Sequence, residues 1–239
     1  MAVILAGGKG VRLKPFTMVI PKPLLPVGDL PIVEIVIRQI AAMGIKRIAM
    51  MLGYMSQLFM ATFGDGSRWG VAIEYYVEDE PMGTAGSLRL LEKPERDLLV
   101  MNGDILTTLD YEAIMEFHRA RNAWGTIGVT TRQERIDYGI IIKRDDGFLG
   151  EYQEKPVLEY SVSMGINVLS SQALSLIPPE GKYDIPQLMT ALNDSGHSVA
   201  CYETDCYWQD IGRFEDYERA SSDFTQDPQR FLPDLAILI

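Results

Sequence analysis

The chain has 239 residues, 47% hydrophobic and 23% charged, with a net charge of −11. This length suits one large α/β domain or two small ones with a substantial core, and the acidic balance excludes a non-specific nucleic-acid binder, which needs a basic footprint. Two cysteines, Cys201 and Cys206, are too few for a disulfide framework, and the isolated His118 and His197 give no zinc spacing. Reduced thiols are expected. No run reaches the ~18–20 apolar residues of a membrane span. Met1-Ala2-Val3 leads into the first strand without a basic leader, so the cytoplasm is the expected location.

Val3, Ile4 and Leu5 form an uncharged apolar run that suits a fully buried strand. It breaks into Gly7, Gly8 and Gly10, where the backbone can bend tightly and approach another molecule closely. Lys9, Arg12, Lys14 and Lys22 then place four cations on an otherwise acidic chain, and exposed N–H groups with Arg and Lys make a phosphate site. Pro21 and Pro23 hold Lys22 in a fixed direction. Two common phosphate motifs fail. No G-x-x-x-x-G-K-[ST] occurs, and the dinucleotide fingerprint starting at Gly8-Lys9-Gly10 meets Leu13 where its last glycine belongs. That failure argues against a nicotinamide-dependent oxidoreductase.

Pro31 opens a predicted helix running to about Met43 and stopped by Gly44, with apolar residues at helical spacing. Strands are predicted at 45–52 and 71–77 around a helix at 54–63, and this alternation implies parallel pairing with helices on both faces. Ligands of such sheets sit beyond the carboxyl ends of the strands, where the glycine loop lies. Glu80 to Leu88 places Gly83 and Gly86 around a small-residue turn opening a helix through Leu91, read either as a close approach to a flat ligand or as a plain helix start capped by Thr84. The strand Leu98–Met101 ends at Asn102-Gly103-Asp104, putting a carboxylate on the same rim. Such oxygen ligands favour Mg²⁺. A helix at 110–121 and a strand at 126–131 follow.

From about Arg132 the alternation loosens into a predicted hairpin, 138–143 and 148–154, leading to Glu154-Lys155-Pro156. A strand at 161–169, helices at 171–177 and 185–194, a strand at 199–203, Trp208-Gln209-Asp210-Ile211-Gly212 and a helix at 213–222 complete the reading. Asp216 and Glu218 in that helix read as solvated surface charges. The chain is expected to be a single domain with halves 1–131 and 132–239, and its apolar end, 231–239, is expected to pack on the body or on a neighbouring subunit.

G-G-x-G-x-R-L-x-P-x-T followed by P-K-P-L, together with N-G-D and W-x-D-I-G, resembles the sugar-1-phosphate nucleotidylyltransferases over Val3 to about Arg219. The resemblance implies a Rossmann-like, mostly parallel α/β sheet with helices on both faces and a smaller, β-rich sugar-binding lobe. It implies a nucleoside triphosphate and a sugar 1-phosphate as partners, Mg²⁺ as cofactor, and attack of the sugar-phosphate oxygen on the α-phosphorus with loss of pyrophosphate. Carried over residue by residue, Arg12, Lys22 and Asp104 would be catalytic, with Asp104 and Asp210 as the metal pair. Leu5, Ala6, Gly7, Gly8, Gly10, Gly83, Thr84 and Ala85 would meet the nucleotide, and Gly139, Glu154, Lys155 and Gly165 the sugar phosphate. The E-P-x-G-T-A-G form is most similar to short guanylyltransferases making GDP-mannose or GDP-heptose; uridylyl- or thymidylyl-transfer to glucose 1-phosphate is the alternative. A catalytically silent nucleotide-sugar-binding regulatory subunit is the alternative of another class, opposed by the presence of every phosphate cation and metal aspartate. Self-association is left open. The chain departs from the family's N-x-G-x-Y at Ser163-Met164-Gly165-Ile166-Asn167, where Ser163 and Asn167 replace its asparagine and tyrosine.

Overall fold

Apolar runs without alternation build the centre of a seven-stranded sheet. The computed structural model describes residues 1–92, 94 and 96–233. In chain order the elements are β1 (Ala2–Ala6), β2 (Pro26–Val27), β3 (Leu30–Pro31), α1 (Ile32–Ala42), β4 (Arg47–Leu52), α2 (Ser56–Phe63), β5 (Ala72–Val77), β6 (Leu98–Asn102), β7 (Ile105–Thr107), α3 (Tyr111–Ala120), β8 (Gly125–Arg135), β9 (Ile140–Lys143), β10 (Leu149–Gln153), β11 (Val157–Leu169), α4 (Ile185–Asp194), β12 (Val199–Glu203), β13 (Trp208–Asp210), α5 (Phe214–Gln226) and α6 (Pro228–Phe231). The main sheet runs β12-β8-β11-β6-β1-β4-β5. β1 lies parallel to β4 and β6, β4 to β5, and β8 to β12. Only β11 runs the other way, antiparallel to β6 and β8. The mostly parallel α/β sheet is therefore as expected.

Burial on both faces explains why β1 carries no charge. Ile4 packs with Val33, Val36 and Ile40 of α1 and Ile114 of α3, whereas Val3 faces Ile185 and Leu188 of α4 across the sheet. A third cluster, with Leu13, Leu25, Ile32 and Ile211, is closed by Ala220 and Phe224 of α5 and props the glycine loop from beneath. Phe231 and Leu232 are buried in it too, while the rest of the expected C-terminal packing, 234–239, lies outside the described residues.

Several expected elements differ. The helix expected through Leu91 is a 3₁₀ turn, Gly86–Leu90: the Leu88 N–H bonds to the Ala85 carbonyl and the Leu91 N–H to the Leu88 carbonyl, and Leu91 itself is already extended. The helix expected at 171–177 is the 3₁₀ turn Ser171–Leu176, ended by Ile177 in the extended conformation that a following proline favours. β8 and β11 run several residues past their expected ends and pair along their polar stretches, from Val157↔Arg135 onward. Two short pairs, β2–β3 and β7–β13, were not expected. Among the described residues no helix is long and apolar enough to cross a membrane.

Candidate active site

The loop after β1 is shaped by two close approaches. Gly10 has φ 58°, and a Cβ there would lie 2.9 Å from the Thr17 methyl and 3.1 Å from Lys22 Cβ. Only glycine suits both demands. The Thr17 hydroxyl donates to the Gly10 carbonyl at 2.8 Å and holds the turn. Gly8 is exposed, and a Cβ there would meet nothing within 4 Å, so its backbone faces open space.

Lys22 is the electrostatic centre. Its side chain is buried between Pro21 and Pro23, and Nζ lies 2.6 Å from Asp104 Oδ2 and 3.8 Å from Asp210 Oδ1. Asp104 lies two residues beyond the end of β6. Asp210 is 106 positions later in the chain and is brought alongside by β13, which pairs with β7 in the register Asp210↔Ile105, and the Ile211 N–H donates to the Asp104 carbonyl. Arg12 joins them: a Cβ on Gly212 would lie 3.5 Å from Arg12 Nη1 and 3.3 Å from Asp210 Oδ2, so the glycine leaves the guanidinium room beside that carboxylate. Burial pushes the Asp210 carboxyl above the ordinary range; Lys22 opposes this, Asp104 adds to it, Arg12 opposes it and Asp216 adds to it. Asp216 is thus no bland surface charge. It accepts from Gln209 Nε2 at 3.0 Å and from the Arg213 N–H at 2.9 Å, at the edge of the cluster. Glu218 is exposed, as expected.

Three adjoining clefts surround this cluster. The first is lined by Leu5, Ala6, Gly8, Gly10, Arg12, Lys22 and Asp104. The second shares Leu5, Gly8 and Asp104 and adds Gly7, Glu78, Gly83 and Thr84. The third shares Thr84, Asn102 and Asp184 with the second and continues past Gly165, Asn167 and Trp208 to Asp210. They form one trough over the carboxyl ends of β1 and β6, where open α/β sheets place ligands. A larger cavity between Arg38, Trp69 and Tyr111 contains none of these groups.

The wall around Gly83 is stapled to the second half of the chain. The Thr84 N–H donates to Asp184 Oδ1 at 2.9 Å, and its hydroxyl accepts from the Ile185 N–H at 2.8 Å, capping α4 rather than its own turn. Ala85, expected at the nucleotide, is fully buried in the core with its N–H bonded to Tyr183, so its side chain cannot meet a ligand. Of the residues expected at the sugar phosphate, only Gly165 lines the trough. Gly139, Glu154 and Lys155 line none of the three clefts and gather on the β9–β10 hairpin, where Tyr152 donates to Glu154 at 3.2 Å and the exposed Lys155 has φ 44°. Lys9 and Lys14 are exposed and also stand outside the clefts. Sequence reasoning missed Glu78, whose Oε2 accepts from the Met82 N–H at 3.0 Å; its place just after β5 was the available signal.

A sequence profile of the nucleotidyl transferase family matches residues 1–227, and the chain belongs to that family. It is 31% identical over 233 residues to a mannose-1-phosphate guanylyltransferase of Mycobacterium tuberculosis, covering 94% of this chain and 64% of the relative. It is 33% identical to a mannose-1-phosphate guanyltransferase of Yarrowia lipolytica, covering 90% and 61%, and 31% identical to a UTP–glucose-1-phosphate uridylyltransferase of Synechocystis, covering 92% and 62%. The chain thus spans less than two thirds of the length of these curated relatives. Among solved structures, a putative glucose-1-phosphate thymidylyltransferase from Bacillus anthracis superposes with a TM-score of 0.75 at 26% identity, over 92% of this chain and 93% of that one. HddC from Yersinia pseudotuberculosis, complexed with GMP-PN, shares the fold with a TM-score of 0.72 at 24% identity, over 93% and 98%.

Proposed function

We propose that the chain is a sugar-1-phosphate nucleotidylyltransferase, joining GTP to mannose 1-phosphate or a heptose 1-phosphate with release of pyrophosphate. One observation carries this reading: Lys22, Asp104, Asp210 and Arg12 converge beside a glycine loop at the head of a trough long enough to continue past Asn102 to Gly165. The two guanylyltransferase relatives support guanine, and the uridylyltransferase relative is why the base is tested rather than assumed.

In the reaction an oxygen of the sugar phosphate attacks the α-phosphorus of the nucleotide, a P–O bond forms, and the bond to pyrophosphate breaks. The chain need supply no covalent nucleophile; it aligns two anions and offsets charge at phosphorus. The N–H groups around Gly8 and Gly10 would hold phosphate oxygens, and Arg12 offers a planar fork to the leaving group. Lys22, a compact point charge, would face the α-phosphate. Asp104 and Asp210 suit a divalent cation: two hard carboxylates already converge on one positive charge, Lys22. Mg²⁺ held by Asp104 and Asp210 would act as a Lewis acid, offsetting the negative charge of the reacting phosphates.

The test is pyrophosphate release with Mg²⁺, each nucleoside triphosphate being paired with a panel of sugar 1-phosphates. Release with GTP and a manno-configured sugar is expected. Release with UTP or dTTP alone would reassign the base, and silence with nucleotide binding intact would favour the regulatory reading.

A further inference from the structure

The third cleft contains a polar group that the fold leaves unanswered. Asn167 sits on β11, where the pairing register to β8 shifts between Ser163 and Asn167 and Gly165 takes φ 69°. The side chain is 4% exposed, and its Oδ1 has no hydrogen-bond partner. The one other such buried atom among the described residues is Arg89 Nε, whose guanidinium is otherwise bonded to the Pro178 and Gly181 carbonyls. Within the sheet the neighbours of Asn167 are apolar. Val100 and Ile127 flank it on the paired strands, Ile185 lines the same cleft, and Leu169, two residues on and facing the same way, is a fully buried core residue. An aliphatic side chain would suit the sheet better, since a buried carbonyl oxygen without a partner destabilises the fold. Of the polar groups in the cleft, Trp208 Nε1 donates to the Met164 carbonyl at 2.8 Å, and Thr84 and Asp184 bond to each other.

We propose that Asn167 reads the sugar: its amide, free to turn about χ2, bonds one hydroxyl or amino substituent on the ring and so sets which sugar 1-phosphate is accepted. The inference rests on the nucleotidyl-transfer reading above and narrows it. The preferred substrate carries a hydrogen-bonding substituent at the ring position that meets the cleft floor, and a sugar deoxygenated there is rejected because the amide is left unpaired.

The experiment compares wild type with Asn167→Leu and Asn167→Ser on the sugar 1-phosphate found by pyrophosphate release and on its monodeoxy analogues. Wild type is expected to lose about 100-fold or more in kcat/KM for one deoxy analogue. In both variants parent and that analogue should converge to within about 3-fold, with the other deoxy penalties kept and the nucleotide KM changed by less than about 3-fold. Asn167→Leu should also melt at a higher temperature than wild type, which a purely structural amide would not give. Variants that keep the wild-type deoxy pattern in a live enzyme overturn the assignment of Asn167 alone. A wild type that turns over no sugar 1-phosphate with any nucleotide overturns the transfer reading, and Asn167 falls with it.

Discussion

Lys22 is a buried ammonium whose nearest charges are both acids, and removing one partner of such a group leaves charge uncompensated. Asp104→Asn is expected to lower kcat in pyrophosphate release by about 10²–10³-fold or more. Its melting temperature should fall only modestly, because Asp210 stays within reach of the ammonium. A rate within a few-fold of wild type would remove Asp104 from the metal pair. His118 offers a different check, on stability alone. Its ring is buried, Nδ1 lies 2.8 Å from the Thr126 hydroxyl, and Nε2 lies 3.8 Å from Asp97. Burial holds its pKa below the ordinary 6.5, and Asp97 offsets this only in part. The unfolded chain therefore takes up the proton more readily, so the stability from keeping His118 neutral is full above about pH 6.5 and is lost as the pH falls below it. Melting temperature should decline from pH 7 to pH 5, and His118→Gln should decline less over the same window. Parallel curves would place the acid sensitivity elsewhere.

The Gly83–Ala85 turn and α4 act as one unit. Thr84 caps a helix that begins 101 positions later in the chain, a partner that neither local reading of the turn contained. Thr84→Val removes that acceptor while keeping the shape, and should cost about 1 kcal/mol, about 2–4 °C in melting temperature for a chain of this length. If the turn forms the nucleotide wall, the same change raises the nucleotide KM more than the sugar-phosphate KM. The opposite order would move that wall to the sugar side. The β7–β13 pair is the other structural unit that no pattern announced. Three residues per strand, with Gln209 buried between two aromatic or charged neighbours, carry too little periodicity to be read.

At the scale of the molecule, the β9–β10 hairpin lines none of the three clefts of the trough. Tyr138, Ile141, Phe148, Leu149 and Tyr152 are all exposed on or near the hairpin, and a two-stranded hairpin is marginal by itself. If Lys155 binds the sugar phosphate, ligand must draw this lobe and the trough together. Hydrogen exchange across 138–156 is then expected to slow with sugar 1-phosphate and a non-hydrolysable nucleotide bound, and Lys155→Ala should abolish that slowing. The same variant should raise the sugar-phosphate KM about tenfold or more while leaving the nucleotide KM nearly unchanged. Equal changes in both constants would place Lys155 outside the sugar-phosphate site.

Uncharged runs at β1 and β6, the apolar stretch 48–52 of β4, proline and glycine at the ends of α1, and the fixed spacing of P-K-P, N-G-D and W-x-D-I-G were all legible along the chain. They are local: burial on both faces, dihedral limits and turn chemistry act over a few residues. The family resemblance of those motifs, rather than any local rule, singled out Arg12, Lys22, Asp104 and Asp210. What no local rule contained was their mutual distance. The ammonium of Lys22 meets both aspartates because the parallel order β6-β1-β4 puts residues 22 and 104 on one rim, and because the β7–β13 register carries residue 210 to residue 105. Asp216, Glu78 and the unpartnered Asn167 became visible for the same reason. Their significance lies in what surrounds them, and only the packing of distant segments, settled by burial and strand register, decides that.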